Sequence, residues 1–319
     1  MASPIADLTY RNYDGPLLPP SGRWWVIAKT MMRLGIKKKG FWWWALLSAY
    51  MYAVMLIVFY AVDQLGAMSA PGSDAQVFFR SVIWKDVFLF CLGSGQVFLL
   101  ILTLLLGSAS IAGDNKANAL LVYLSKPCTK RDYIIGKWFA IYLPLMLVTL
   151  VPALVFYGYC FLAYRNFGVV SQEPWLLPKI ILMAQVPGVL HASLMVGVSS
   201  LFNQARLAGA VYAGIYFLTG FFGVMIFGIT QSLSSSGGRN ALTDNLAYLS
   251  VDGLIQGVSK WLLDTQGSNP FEFGRRASSD TAALPPPVGY FILPAFAIVC
   301  LLGIWVAWRK VRAVEVVGS

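Results

Sequence analysis

The chemistry-bearing residues of this chain crowd into one stretch, Ser108 to Ala140, which reads SASIAGDNKANALLVYLSKPCTKRDYIIGKWFA. Asp114 opens it, and Lys126, Lys130, Arg131 and Lys137 close it. Between them, Ala119, Leu120, Tyr123 and Leu124 fall on one side of a helix that can run from Ile111 to Leu124, with Asp114, Lys116 and Asn118 as its polar residues. Pro127 stops that helix, because proline has no N–H to donate and biases its predecessor toward extended geometry. Thr129 followed by Asp132 has the spacing of a capping box, so a second helix starts near Lys130. The result is a rigid helix–break–helix elbow without a nucleophile–base–acid set. It does not suit bond-making.

Catalytic alternatives find little support. His191 is the single histidine and lies in an apolar stretch. An ionisable residue inside a membrane is a functional candidate, yet a neutral imidazole also bonds neighbouring helices, and packing is the reading taken for it and for Gln96. Cys91, Cys128, Cys160 and Cys300 have neither metal-ligand nor redox spacing. The one glycine–lysine run, Gly35 to Gly40, reads GIKKKG and lacks the Lys-Ser/Thr ending of a phosphate loop. No catalytic, metal or cofactor-binding residues are expected.

The elements that hold this stretch are hydrophobic. The chain is 58% hydrophobic and only 12% charged over 319 residues, against about 25% charged in a soluble domain. Its mean hydropathy is +0.66. Six stretches are long enough to cross a bilayer, which takes about 20 apolar residues: Trp42 to Val62, Val87 to Ala109, Trp138 to Tyr164, Ile180 to Phe202, Leu207 to Thr230 and Tyr290 to Trp308. The fold expected is an all-α polytopic bundle. No cleaved signal peptide is expected, since the first apolar stretch begins near Trp42 and is longer than a signal core.

Charge sets the orientation. With both termini in the cytoplasm, the inner segments carry 16 of the 24 basic residues and five of the 14 acids. The reverse would put Lys37, Lys38 and Lys39 outside, against the positive-inside bias. That bias also accounts for the net charge of +10, so nucleic acid is not an expected partner.

Ahead of the first span, Trp24, Ile27, Met31 and Leu34 recur at helical spacing, with Lys29, Arg33 and Lys37 opposite. This predicts an amphipathic helix in the inner headgroup layer. In the long outer loop, Val251, Leu254, Ile255, Val258, Trp261 and Leu262 form an apolar face, with Asp252, Lys260 and Asp264 away from it. That predicts a short helix resting on the outer bilayer surface or against the bundle, with Trp261 against apolar groups. Ala205, Gly209 and Ala213 have small-xxx-small spacing for close helix approach. Lys85 and Asp86 read as an interfacial pair.

The segment from Asp114 resembles the cytoplasmic loop of ABC-2 type transporter permeases. There an acid, usually Glu, precedes a small and apolar helix, then L-L-S-[KR]-P-x-[ST]-[RK] and a G-K pair. The matching residues here are Asp114, Leu120, Leu121, Leu124, Ser125, Lys126, Pro127, Thr129, Lys130, Gly136 and Lys137. The resemblance implies a permease of the inner (cytoplasmic) membrane that is a single ABC-2 type transmembrane domain over residues 1–319, within which residues 1–41 are tail and elbow helix, 110–137 the coupling loop, and 231–289 the extracytoplasmic loop. It further implies an exporter working as a homo- or heterodimer among lipids, with ATP bound by a separate ABC ATPase subunit. Asp114, Asn118, Leu120, Leu121, Leu124, Ser125, Lys126, Pro127, Thr129, Lys130 and Arg131 would form the docking surface. The rivals are a permease-like scaffold without transport and a membrane-embedded enzyme. No charged lining in the spans marks a substrate.

Overall fold

The computed structural model describes residues 22–67, 74–119, 128–164, 173–235, 241–267 and 286–311. Among them the secondary structure is helical, without strands. In chain order the helices are α1 (Arg23–Ile36), α2 (Lys39–Ser48), α3 (Tyr50–Ala67), α4 (Asp74–Ser81), α5 (Trp84–Ser94), α6 (Gln96–Gly107) and α7 (Ala112–Lys116). They continue with α8 (Lys130–Tyr164), α9 (Leu176–Ser200), α10 (Ala205–Ser235), α11 (Ala241–Leu246), α12 (Val251–Leu263) and α13 (Gly289–Lys310). A backbone that crosses hydrocarbon must satisfy its own hydrogen bonds, and helices do so within one segment.

Five segments are long and apolar enough to span: Gln96–Lys116, Lys130–Tyr164, Leu176–Ser200, Ala205–Thr230 and Gly289–Lys310. The expected first span is instead a bent pair, with α2 and α3 meeting at 45° around Ala49. The expected second span is also interrupted, at Gly95 between α5 and α6. The two breaks touch: a Cβ on Gly95 would stand 2.4 Å from the Ser48 carbonyl oxygen. Glycine is required there because neither backbone leaves room for a side chain.

The centre of the bundle is α9, packed between α8 and α13. Its backbone touches that of α13 where Gly197 meets Gly303, and a Cβ on Gly303 would lie 2.4 Å from the Ser193 carbonyl. On its other side, Trp138 Nε1 donates to Ser193 Oγ at 2.9 Å, and Thr149 Oγ1 donates to the Ala184 carbonyl at 2.7 Å. Tyr142 O–H donates to Gln185 Oε1 between them. Polar side chains of this kind join helices where lipid gives no hydrophobic drive for association.

The helices sort into two ends. Lys130, starting α8, lies 4.8 Å over the Trp308 ring near the close of α13, so both belong to one basic end. At the opposite end Tyr164 closes α8 in an aromatic cluster with Phe59, Phe79 and Trp84. There Lys85 pairs with Glu173 at 3.2 Å, which also faces Lys179 at 3.6 Å. The expected Lys85–Asp86 pair is corrected: Asp86 is buried and accepts a hydrogen bond from Thr265. At about 1.5 Å per residue, the 35-residue α8 is about 50 Å long, well beyond the roughly 30 Å of hydrocarbon.

Two amphipathic elements pack against the bundle. Helix α1 lies across α8 with Ala28 buried, and Gly35 is buried against Leu106 of α6, while Leu34 of the expected stripe is 64% exposed. Gly136 of α8 permits the crossing, since a Cβ there would sit 2.7 Å from the Trp24 carbonyl. Helix α12 takes the second of its two expected seats, against the bundle. It packs into α9, α10, α13 and α5, with Val251, Leu254, Ile255, Val258 and Leu263 buried. Lys260 is buried too, whereas Trp261 is 43% exposed, the reverse of the expectation for both. Ser250 caps α12 by accepting from Gly253 N at 2.8 Å.

Candidate functional site

The loop around Asp114 is anchored to the bundle. The helix expected from Ile111 to Leu124 is not continuous: α7 ends at Lys116, and Asn118 adopts a left-handed conformation with φ of 50°. Asparagine tolerates that region better than most residues, so it suits such a stop. Leu120, Leu121, Leu124, Ser125, Lys126 and Pro127 lie outside the described residues.

Three contacts hold α7. Lys137 Nζ meets Asp114 Oδ2 at 2.7 Å, and Tyr133 O–H donates to the same oxygen at 2.7 Å. Lys137 is buried and its ammonium lies 5.4 Å over the Tyr133 ring. Ser199, near the end of α9, supplies the second contact. Its Oγ accepts from Ile111 N at 3.1 Å and Ala112 N at 3.0 Å, and donates to the Ser108 carbonyl at 3.1 Å. Helix α7 is therefore capped by a side chain from another helix, where a local Ser or Thr would normally serve. Third, Asn115 Nδ2 donates to the Phe202 carbonyl at 3.1 Å.

The capping box ahead of α8 is present in full. Asp132 N donates to Thr129 Oγ1 at 3.2 Å, and Thr129 N donates back to Asp132 Oδ2 at 3.1 Å. Thr129 is exposed and so is Arg131, while Lys130 is half-buried under Trp308. Beside these elements a cavity of about 440 Å³ opens between α1, the end of α6 and the Asp114–Lys137 pair. The ends of the expected recognition motif, Asp114 and Lys137, are thus bonded to each other, and the carboxylate faces inward.

A protein-family model described as ABC-2 family transporter protein matches residues 25–309. The chain belongs to the ABC-2 transporter family. It is a multi-pass membrane permease component of an ABC transporter, and it is not itself the ATPase. No curated protein matches the chain.

The other singled-out residues of the permease fall elsewhere. His191 is buried in α9 and shares a 2.6 Å hydrogen bond through Nδ1 with Tyr212 O–H of α10. On α10 the buried seam is Ala208, Tyr212 and Tyr216, one position off the line of Ala205, Gly209 and Ala213, which are half-buried. A Cβ on Gly209 would meet Ser108 Cβ at 3.5 Å, so that glycine packs on its own chain. Sequence reading missed Ser199 and Tyr133. The polar pair Ser199-Ser200 ending an apolar span was the available signal for the first, and a tyrosine one turn before Lys137 for the second.

Proposed function

We propose that this permease works as an exporter driven by a separate ABC ATPase, which docks on the loop from Asp114 to Arg131. The loop faces the cytoplasm with both termini, the long loop 231–289 lies outside, and two permease chains assemble with two ATPase subunits. The observation that carries the reading is the fastening of α7. A partner that moves α7 pulls on α8 through Asp114–Lys137 and on α9 through Ser199. Packed chains of side chains and hydrogen bonds of this kind carry energetic coupling between distant sites. An ordinary connector between spans has no need of a buried ion pair or a borrowed helix cap.

Purification from the native membrane in mild detergent tests this. A phosphate-loop ATPase co-eluting in equal amount with the permease is the expected result. Recovery of the permease in a complex that lacks any ATPase would favour the scaffold reading.

A further inference from the structure

A second cavity, of about 770 Å³, lies toward the end opposite α7, between the α5–α6 break, α10 and α12. Its two sides differ in chemistry. Phe217, Phe221 and Val224 of α10 form an apolar wall and are 58%, 66% and 70% exposed. The floor is polar and comes from α12 and α5: Asp252, Gln256, Lys260 and Asp86. Gln256 lies flat over bare backbone, since a Cβ on Gly93 would come within 2.3 Å of its Nε2.

The floor is not electrically balanced. Lys260 and Asp86 offset each other in charge, and the lysine also donates to Tyr248 O–H at 3.1 Å. Asp86 accepts from Thr265. Asp252 is the remaining acid, and its Oδ1 is buried with no hydrogen-bond partner. A buried carboxylate oxygen without a donor carries a desolvation cost that a bound cationic donor would remove. The bland role for Asp252, complementing the helix dipole in the first turn of α12, explains its charge. It does not explain an unpartnered carboxylate oxygen on a residue that lines a cavity.

We propose that this cavity binds an amphiphile bearing an amine, with its alkyl portion along Phe217, Phe221 and Val224 and its ammonium on Asp252 and Gln256. The assignment names the substrate class for the permease, and rests on the transport reading only in taking the occupant to be cargo. Apolar walls with a few placed polar groups are the usual make-up of a small-molecule site.

The test uses the whole chain in phosphatidylcholine nanodiscs, with empty discs subtracted. A dansyl-tagged long-chain primary amine is titrated beside the same probe ending in an alcohol. The amine should bind saturably and about tenfold tighter, the equivalent of one charge-assisted hydrogen bond. Asp252→Asn should abolish that preference while leaving alcohol binding unchanged, and Asp252→Glu should keep it. Phe221→Ala should weaken both probes. Equal affinity of amine and alcohol for the unaltered protein would overturn the assignment, as would a preference that survives Asp252→Asn. Because no ATPase or nucleotide is present, the result is independent of whether an ATPase co-purifies.

Discussion

Asp114 and Lys137 form a 2.7 Å ion pair between the short helix after the second span and the first turns of the third. Tyr133 O–H completes it from one turn earlier. Removing one partner of a buried pair strands the other, at a cost on the order of 3–5 kcal/mol. Asp114→Ala should therefore destabilise the permease more than the double change Asp114→Ala with Lys137→Met. Asp114→Glu, the acid usual in the family, should stay close to the unaltered protein. Thermal unfolding in detergent orders the four. If the double variant is the least stable, the pair is not what holds α7.

Ser199→Ala removes the acceptor for two backbone N–H groups at the start of α7. Buried donors left unsatisfied cost about 1–3 kcal/mol, and tenfold in an opening equilibrium is about 1.4 kcal/mol. Amide exchange over residues 111–116 should accelerate about tenfold or more, with little change in α13. Unchanged protection there would show that Ser199 is not the cap.

The contact of α9 with α13 makes a comparison between glycines. Gly303→Ala forces a Cβ to within 2.4 Å of the Ser193 carbonyl, whereas Gly214→Ala on α10 meets nothing within 4 Å. The first should cost about 1–3 kcal/mol as overpacking and the second almost nothing. Melting temperatures of the two variants, measured side by side, check it; equal values would mean that the helices do not cross there.

Burial raises the Asp252 carboxyl from its ordinary 3.8 to about 6. Its folded pKa lies above its unfolded one, so the folded state binds more protons across that interval. Stability should then fall as pH rises from about 4 to about 6 and stay level above, by the linkage of proton binding to folding. Asp252→Asn should remove this slope and raise stability above pH 6 by about 3 kcal/mol, given about 1.4 kcal/mol per pKa unit. Melting curves at several pH values decide it. A variant with the same slope as the parent would assign the slope to another group.

The sequence patterns that proved legible are those set by local rules. Four of the six long apolar stretches lead to single helices that cover nearly the expected ranges, and Thr129 with Asp132 reads directly as a capping box. What stayed hidden depends on distant backbone meeting distant backbone. The breaks at Ala49 and Gly95 exist together because Ser48 and Gly95 touch, which no single window of sequence contains. Helix α12 was legible only in part, for a related reason. Its apolar face marks which side is inward, but burial of Lys260 and Asp252 as well follows from α10 and α5 closing over the polar side. The Asp114–Lys137 pair was within reach, since both residues stood in the motif, yet the motif said which residues matter and not that they bond.

The docking claim is tested most directly by ATPase retention. Leu120 and Leu124 lie outside the described residues, and are the apolar pair expected to meet the partner. Loss of two apolar side chains from a packed contact costs roughly 2–5 kcal/mol, at least about a thirtyfold drop in affinity. The permease carrying Leu120→Ala with Leu124→Ala is purified beside the unaltered protein, and the ATPase bound to each is quantified. Release of the ATPase from the variant, with its melting temperature and elution volume unchanged, is the predicted result. Full retention of the ATPase on a folded variant would contradict the account.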